Sequence, residues 1–287
     1  MKESKRRIAI CSLCLLVSLS APAFAQQKLQ TQPEQSLSKT EIKARAAETR
    51  RAQLNQDLFA AIDAQVAGTV LKKLASGADV NARDREGMTP LMHAALSGNP
   101  DLTQLLLRKG AAVNPYDGFG VTALMQAAWA GHAQVVEILL AQGADPNFQT
   151  VLEFPRLKKA GATALMGASM NGNLEVVKLL LDGNIRVNQQ DAEGQTALIH
   201  ASQGGYAQIA GLLISKGAAT EIQDEFGRTA LTVATIYGQY DVVCVLVSAG
   251  ANVHTKDFNN MKPIVYASAL DRGQIYKYLE AAMARKP

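Results

Sequence analysis

Cysteine is scarce: three residues in 287, with Cys11 and Cys14 both in the first 25. Once that stretch is removed Cys244 stands alone, no internal disulfide can form, and the fold has to be held by its core. Positive charge is scarce where it would count. The formal +4 comes from the start of the chain: residues 1–25 carry Lys2, Lys5, Arg6 and Arg7 against Glu3, and residues 26–53 carry six Lys and Arg against three Glu. Residues 54–287 come to 19 basic and 21 acidic side chains, a net −2. Such a body lacks the clustered positive footprint that displaces counterions from phosphates, which argues against a nucleic-acid partner. Long apolar runs are short too, because Ile8 to Ser20 reaches only about thirteen residues where spanning a bilayer takes about 20. Aromatic residues make up only 5%, with one tryptophan, so the places where they do occur carry information.

Chemistry-bearing patterns are missing as well. None of the four histidines, His93, His132, His200 and His254, lies three or four residues from another, so there is no zinc motif. There is no Gly-x-Ser-x-Gly elbow and no glycine-rich phosphate cradle ending in Lys-Ser or Lys-Thr. Cys244 lies in the apolar run Val242–Leu246 and reads as a small core residue. No catalytic, cofactor-binding or metal-binding residue is expected. What the chain has in quantity is hydrophobic residues, 48% against 19% charged, which rules out disorder as its main state.

The first segment reads as a secretory signal peptide: a positive stretch from Lys2 to Arg7, the apolar Ile8–Ser20, and a small-x-small site at Ala23-Phe24-Ala25. Ile10 before Cys11 and Leu13 before Cys14 do not fit a lipoprotein site. The expectation is export to a bacterial periplasm, with no stable membrane insertion after cleavage. Residues 26–54 form a polar leader, disordered at first. Thr40–Asn55, free of Gly and Pro, is predicted to be a solvated helix running into the domain at residues 55–287.

That domain is periodic. Thr89-Pro90-Leu91, Thr122-Ala123-Leu124, Thr163-Ala164-Leu165, Thr196-Ala197-Leu198 and Thr229-Ala230-Leu231 recur at intervals of 33, 41, 33 and 33 residues. A glycine stands two places before each threonine and another nine places after it. Each unit reads as a short helix with a small-residue pair such as Ala127-Ala128, then a second helix with apolar clusters such as Leu105-Leu106-Leu107. The second helix ends at Gly77, Gly110, Gly143, Gly217 and Gly250, where a left-handed residue closes the last turn. In the third full unit the aligned residue is Asn184, expected to take that geometry itself. The interval of 41 marks an eight-residue insertion, an extended hairpin at about 149–160. Six units starting near Asp84, Asp117, Lys158, Asp191, Asp224 and Asp257 follow a partial capping unit from Asn55 to Arg83. The starting aspartates are expected to order their own turns.

These residues resemble the ankyrin repeat, with its Thr-Pro-Leu-His turn, Ala-Ala pair, Gly-His junction and Gly-Ala-Asp-Val-Asn exit. Gly77-Ala78-Asp79-Val80-Asn81 and Gly131-His132 match outright, whereas the turn histidine is replaced by Met92, Met125, Met166, Ile199, Thr232 and Val265. The resemblance covers about Asn55 to Ala282 and implies an all-α solenoid of helix-turn-helix units joined by β-hairpin loops. His132 is expected to cap the second helix of its unit, and His93 and His200 to fill a varied structural position.

The resemblance also implies that proteins bind on the concave face made by the first helices and hairpin tips. The residues there that stacking does not need are Phe119, Phe226, Arg228 and Phe258 at the tips, and Leu96, Trp129, Met170, Ile236, Tyr237 and Leu270 on the helices. Aromatics, Met and Arg are the types enriched in interface hot spots. Each could instead pack on the next repeat. The insertion adds Val151, Leu152, Phe154 and Leu157 beside Arg156, Lys158 and Lys159, to enter a partner's cleft or to fold back on its own unit. Exported bacterial proteins of this organisation include immunity proteins, so the resemblance implies a monomer that binds and neutralises a periplasmic or secreted enzyme. Two alternatives stand beside it: an accessory protein supporting a stress-defence enzyme such as a periplasmic catalase, and a hydrolase using His132 or His200.

Overall fold

In five of the units the first helix is preceded by a threonine whose side chain is short enough to bend back onto that helix. In the computed structural model, which describes residues 38–151 and 160–284, Thr89, Thr122, Thr163, Thr196 and Thr229 each accept from the backbone N–H three residues on, at 3.2–3.4 Å. This is the cap that satisfies an orphan donor at a helix start. Among the described residues there are fourteen helices and no named strand. They form seven pairs: α1 (Lys39–Asp63) with α2 (Ala67–Ala75), α3 (Pro90–Leu96) with α4 (Pro100–Arg108), α5 (Ala123–Ala130) with α6 (Ala133–Ala141), and α7 (Ala164–Met170) with α8 (Leu174–Leu181). After these come α9 (Ala197–Gly204) with α10 (Ala207–Ser215), α11 (Ala230–Tyr237) with α12 (Tyr240–Ser248), and α13 (Pro263–Ala269) with α14 (Gly273–Ala284). From α3 onward, first helices pack on first helices and second on second, each on its neighbours in order. That is the all-α solenoid of repeats the sequence implied.

The chain divides at residue 44. Of the first part, residues 1–44, the described residues are Ser38 and the exposed opening turns of α1, closed by a reciprocal bond pair between Ser38 and Glu41. All that follows concerns residues 45–287. There Leu58, Ala61 and Ile62 of α1 are buried, and every later helix buries residues as well, from Val70 alone on α2 to six residues each on α7 and α11. Small residues set the spacing: Ala94, Ala127, Ala168, Ala201 and Ala234 are fully buried where first helices meet.

Two ladders of polar side chains and one of backbone bonds run from repeat to repeat. The Asn side chains 81, 114, 147 and 188 each donate to the carbonyl at the end of the next second helix and accept an N–H two residues beyond it, at 2.7–3.2 Å. Glu221 takes the accepting half of that role toward Asn252. Gln149, Gln190 and Gln223 each bridge the glycine carbonyl of their own loop and a backbone carbonyl of the next. The loops themselves join through Gly118 N–H to Glu86 O, Ala192 N–H to Ala160 O, Glu225 N–H to Glu193 O and Phe258 N–H to Phe226 O, at 2.8–3.0 Å. The expected hairpins are therefore tight turns tied side to side, and the single β-bridge among the described residues is Tyr116 with Thr122.

Three local expectations are corrected. Asn184 is not left-handed: Gly143 (φ 81°) closes α6 with Ala144 N–H on Leu139 O, but after α8 the Ile185 N–H turns to Gly183 O instead. The register of Asn184 holds, since its carbonyl accepts from Asn147, while its conformation does not. The third full unit opens at Thr150 and not near Lys158. Thr150 N–H donates to Ala162 O, its Oγ1 accepts from Ala162 N–H, and its carbonyl accepts from Gly161 N–H, the bonds that Asp84 makes to Met88 and Gly87. The insertion thus splits one turn internally. Residues 152–159, and with them Phe154, lie outside the described residues. Third, His132 stands at the N-cap of α6 without capping it; its Nε2 reaches Leu96 O of the preceding repeat at 3.1 Å.

Candidate functional site

An aspartate organises every loop tip except the split one. Oδ1 of Asp84, Asp117, Asp191, Asp224 and Asp257 accepts two backbone N–H groups, from the second and fourth residues after it, at 2.7–3.2 Å. Four of the five have a side-chain brace on Oδ2, and the brace varies: His93 on Asp84 at 2.8 Å, His200 on Asp191 at 2.9 Å, Tyr266 on Asp257. Where Val233 stands in that position, Arg228 supplies the bond to Asp224 from within the loop, at 2.8 Å through Nε. The turns therefore stay rigid although the turn histidine of the repeat pattern is absent.

These rigid tips hold out the aromatic side chains. Phe119 and Phe226 are exposed, and Phe258, at 74% the most exposed large hydrophobic residue described, lies across Gly227 of the preceding loop. The guanidinium of Arg228 stacks 4.5 Å from the centroid of Phe226. Phe226, Arg228 and Phe258 thus form one cluster. Beside it, burial and the neighbouring charges of Asp191 and Glu225 lift the carboxyl of Glu193 above the ordinary value. Charge on the tips is acidic in the fourth repeat and mixed in the fifth.

The second group follows the first helices. Because those helices stack in register, positions one repeat apart fall in a row: Leu96, Trp129, Met170, Gln203, Ile236 and Ala269, with Tyr237 and Leu270 one place further along their helices. Leu96, Met170 and Leu270 are exposed, and so is Tyr237, whose hydroxyl accepts from Gln203 Nε2 at 3.1 Å. Trp129 and Ile236 are half-buried. Trp129 is committed to the stack: its Nε1–H donates to Thr163 O at 3.0 Å, and its ring fills the space over Gly167, where a Cβ would lie 1.9 Å from Cδ1. Gly167 stands where other repeats carry Gln126, His200 or Val233 because the indole needs that room. Truncating Trp129 therefore disturbs packing and does not isolate binding. The stacked pair Tyr116 and Phe148, 5.6 Å apart, went unmarked in the sequence, since neither belongs to the repeated pattern.

His132 and His200 are held by structural bonds. His132 bonds a carbonyl, His200 Nε2 bonds Asp191, and His200 Nδ1 is buried without a partner. The neighbouring Ser202 hydroxyl donates into its own helix at Leu198 O. Among the described residues no three His, Cys, Asp or Glu side chains gather in a way that could hold a metal ion, and no helix is long and apolar enough to cross a membrane. Cys244 is half-buried and not a core residue; it borders a shallow depression of about 480 Å³ between α10 and α12, beside Gly211, Ser215 and Ser248.

The family model described as ankyrin repeats matches residues 58–150, 165–257 and 208–282. The chain belongs to the ankyrin-repeat family. A comparison with curated proteins finds no match. Ankyrin repeats mediate protein–protein binding and are in general not catalytic, and no enzyme family is indicated for this chain. Phe119, Phe226 and Phe258 on the loop tips and Met170 and Tyr237 on the first helices stand exposed.

Proposed function

We propose that this ankyrin-repeat protein is exported to the bacterial periplasm and binds an enzyme there through the first-helix row and the loop tips, occluding its active-site mouth. The observation that carries the reading is the exposure of Leu96, Met170, Tyr237 and Leu270, at two adjacent positions of the first helices, alongside tips bearing Phe119, Phe226 and Phe258. Stacking buries the repeated core and leaves much of the surface of these side chains uncovered. Covering them against a partner would remove a large apolar area from water, at roughly 25 cal/mol per Å².

The test is retention of a partner from envelope extract by the immobilised mature chain. A triple variant, Met170→Ala with Phe226→Ala and Tyr237→Ala, is expected to weaken retention by about thirtyfold or more, the effect of losing roughly 2 kcal/mol at a hot spot. A control with Glu175→Ala and Lys178→Ala on exposed positions of α8 is expected to retain the partner as the wild type does. Equal recovery from all three chains would sink the location. With the partner in hand, a fall in its turnover on adding the protein supports neutralisation, whereas preserved or raised turnover supports the accessory role.

A further inference from the structure

His93 is held by carboxylates from two different units. Its Nδ1 lies 2.9 Å from Oδ1 of Asp63, the last residue of α1, and its Nε2 lies 2.8 Å from Oδ2 of Asp84 in the first full repeat. A neutral imidazole carries one N–H, so both contacts are hydrogen bonds only when the ring is an imidazolium. The ring of Phe59, one turn earlier on α1, packs on the same imidazole at 4.9 Å between centroids. The end of α1 therefore meets α3 at this side chain. His200 is an internal comparison. It occupies the same place in its own repeat, but Met170 stands where Asp63 would be, and its Nδ1 has no partner. One carboxylate is enough to brace the loop, and the second, at Asp63, is an addition at the cap.

We propose that His93 is a proton-operated latch that docks the capping pair α1 and α2 onto the first full repeat, closed when the imidazole is protonated and opened as pH rises. On deprotonation one carboxylate must be released. Asp84 keeps two backbone N–H donors, from Glu86 and Met88, and is largely buried, whereas the Asp63 side chain is 61% exposed and can be solvated in place. Asp63 is the one that lets go. Among the described residues no third charge acts on the ring: α5 contains no ionisable residue, Lys73 of α2 pairs with Asp57, Lys72 of α2 and Asp101 and Arg108 of α4 are exposed, and Arg83, Arg85 and Glu86 of the loop point to solvent or backbone.

Burial alone would pull the His93 imidazolium below 6.5, but the hydrogen bonds to Asp84 and Asp63 and their charges outweigh it and lift the value. A lifted histidine contributes stability that is complete below the ordinary imidazole value of 6.5 and fades as pH rises through the lifted one. Asp84 moves the other way. Burial raises it, but the bonds from His93, Met88 and Glu86 outweigh that and leave it below 3.8, so its side of the latch holds until pH falls through that depressed value.

The experiment compares the full mature chain with its Asp63→Asn and His93→Gln variants by urea unfolding across a pH series, together with NMR titration of the His93 ring. The wild type is expected to exceed Asp63→Asn in stability at mildly acidic pH, with the difference closing as pH rises through the His93 midpoint. In Asp63→Asn that midpoint is expected to move down. In His93→Gln the pH dependence in this range is expected to disappear. A stability difference that stays constant across the series, or a His93 midpoint indifferent to Asp63→Asn, overturns the latch. Should His93→Gln fail to fold, the Asp63→Asn titration decides the matter alone.

Discussion

Leu139→Ala is expected to lower the unfolding free energy by about 3 kcal/mol, because Leu139 is fully buried in α6 and truncating a buried leucine costs about 2–5 kcal/mol in transfer and cavity terms. In a stack where each repeat touches only its neighbours, the loss is also expected to be local. α6 packs on α4, α5 and α8, so weakening it loosens the middle of the array while α11 to α14 keep their contacts. Trp129, the chain's one tryptophan, sits in the affected repeat and reports on it by fluorescence. In urea, the fluorescence transition of the variant is expected to move to lower denaturant than the circular-dichroism transition, while the wild type shows the two closer together. A loss under about 1 kcal/mol would contradict the burial assigned to this side chain.

Asp224→Ala is expected to cost about 3 kcal/mol, although it deletes only a few atoms. The Asp224 side chain is fully buried; Oδ1 accepts from Phe226 and Arg228 N–H, and Oδ2 accepts from the Arg228 guanidinium, at 2.7–3.0 Å. Removing one member of a buried pair leaves the other charge unpaired, at about 3–5 kcal/mol, and here two backbone donors lose their acceptor as well. Thermal or urea unfolding measures the loss. Phe226→Ala, two residues away but exposed, is the control and is expected to fall within about 0.5 kcal/mol of the wild type. Similar losses from both would mean that the tip is not built around the carboxylate. Because Arg228 also stacks on Phe226, Asp224→Ala is expected to loosen the aromatic cluster that the proposed function uses.

What could be read from the sequence follows from how the information is written. The repeats were legible because the same small set of residues recurs at a spacing of 33 residues: the capping threonine, the small pair, the glycines after the second helices. The 41-residue interval located the insertion to within a few residues. The point where it enters the turn was not legible, because Thr150 does the work of an aspartate without resembling one. Asn184 kept its register and lost the geometry inferred for it, since tolerance of a left-handed backbone does not require one. His132 and Trp129 show the other limit. Both act on a neighbouring repeat, through Leu96 O and Thr163 O, and a pattern read along the chain does not show what a side chain meets 34 or 36 residues away. The braces on the aspartates were hidden for the same reason. His, Tyr and Arg substitute for one another there because each can donate to Oδ2, a likeness of chemistry and not of residue type.

The central claim is that the exposed row on the first helices, with the loop tips beside it, is where this protein meets another. It is tested most directly in living cells by placing a photo-crosslinking amino acid at Phe226 or Tyr237 and, in separate strains, at Ser215 or Ser248 on the far side of the second helices. The account expects a discrete higher-mass adduct from positions 226 and 237 and none from 215 and 248. Adducts confined to 215 and 248 would place the binding surface on the opposite side and contradict it.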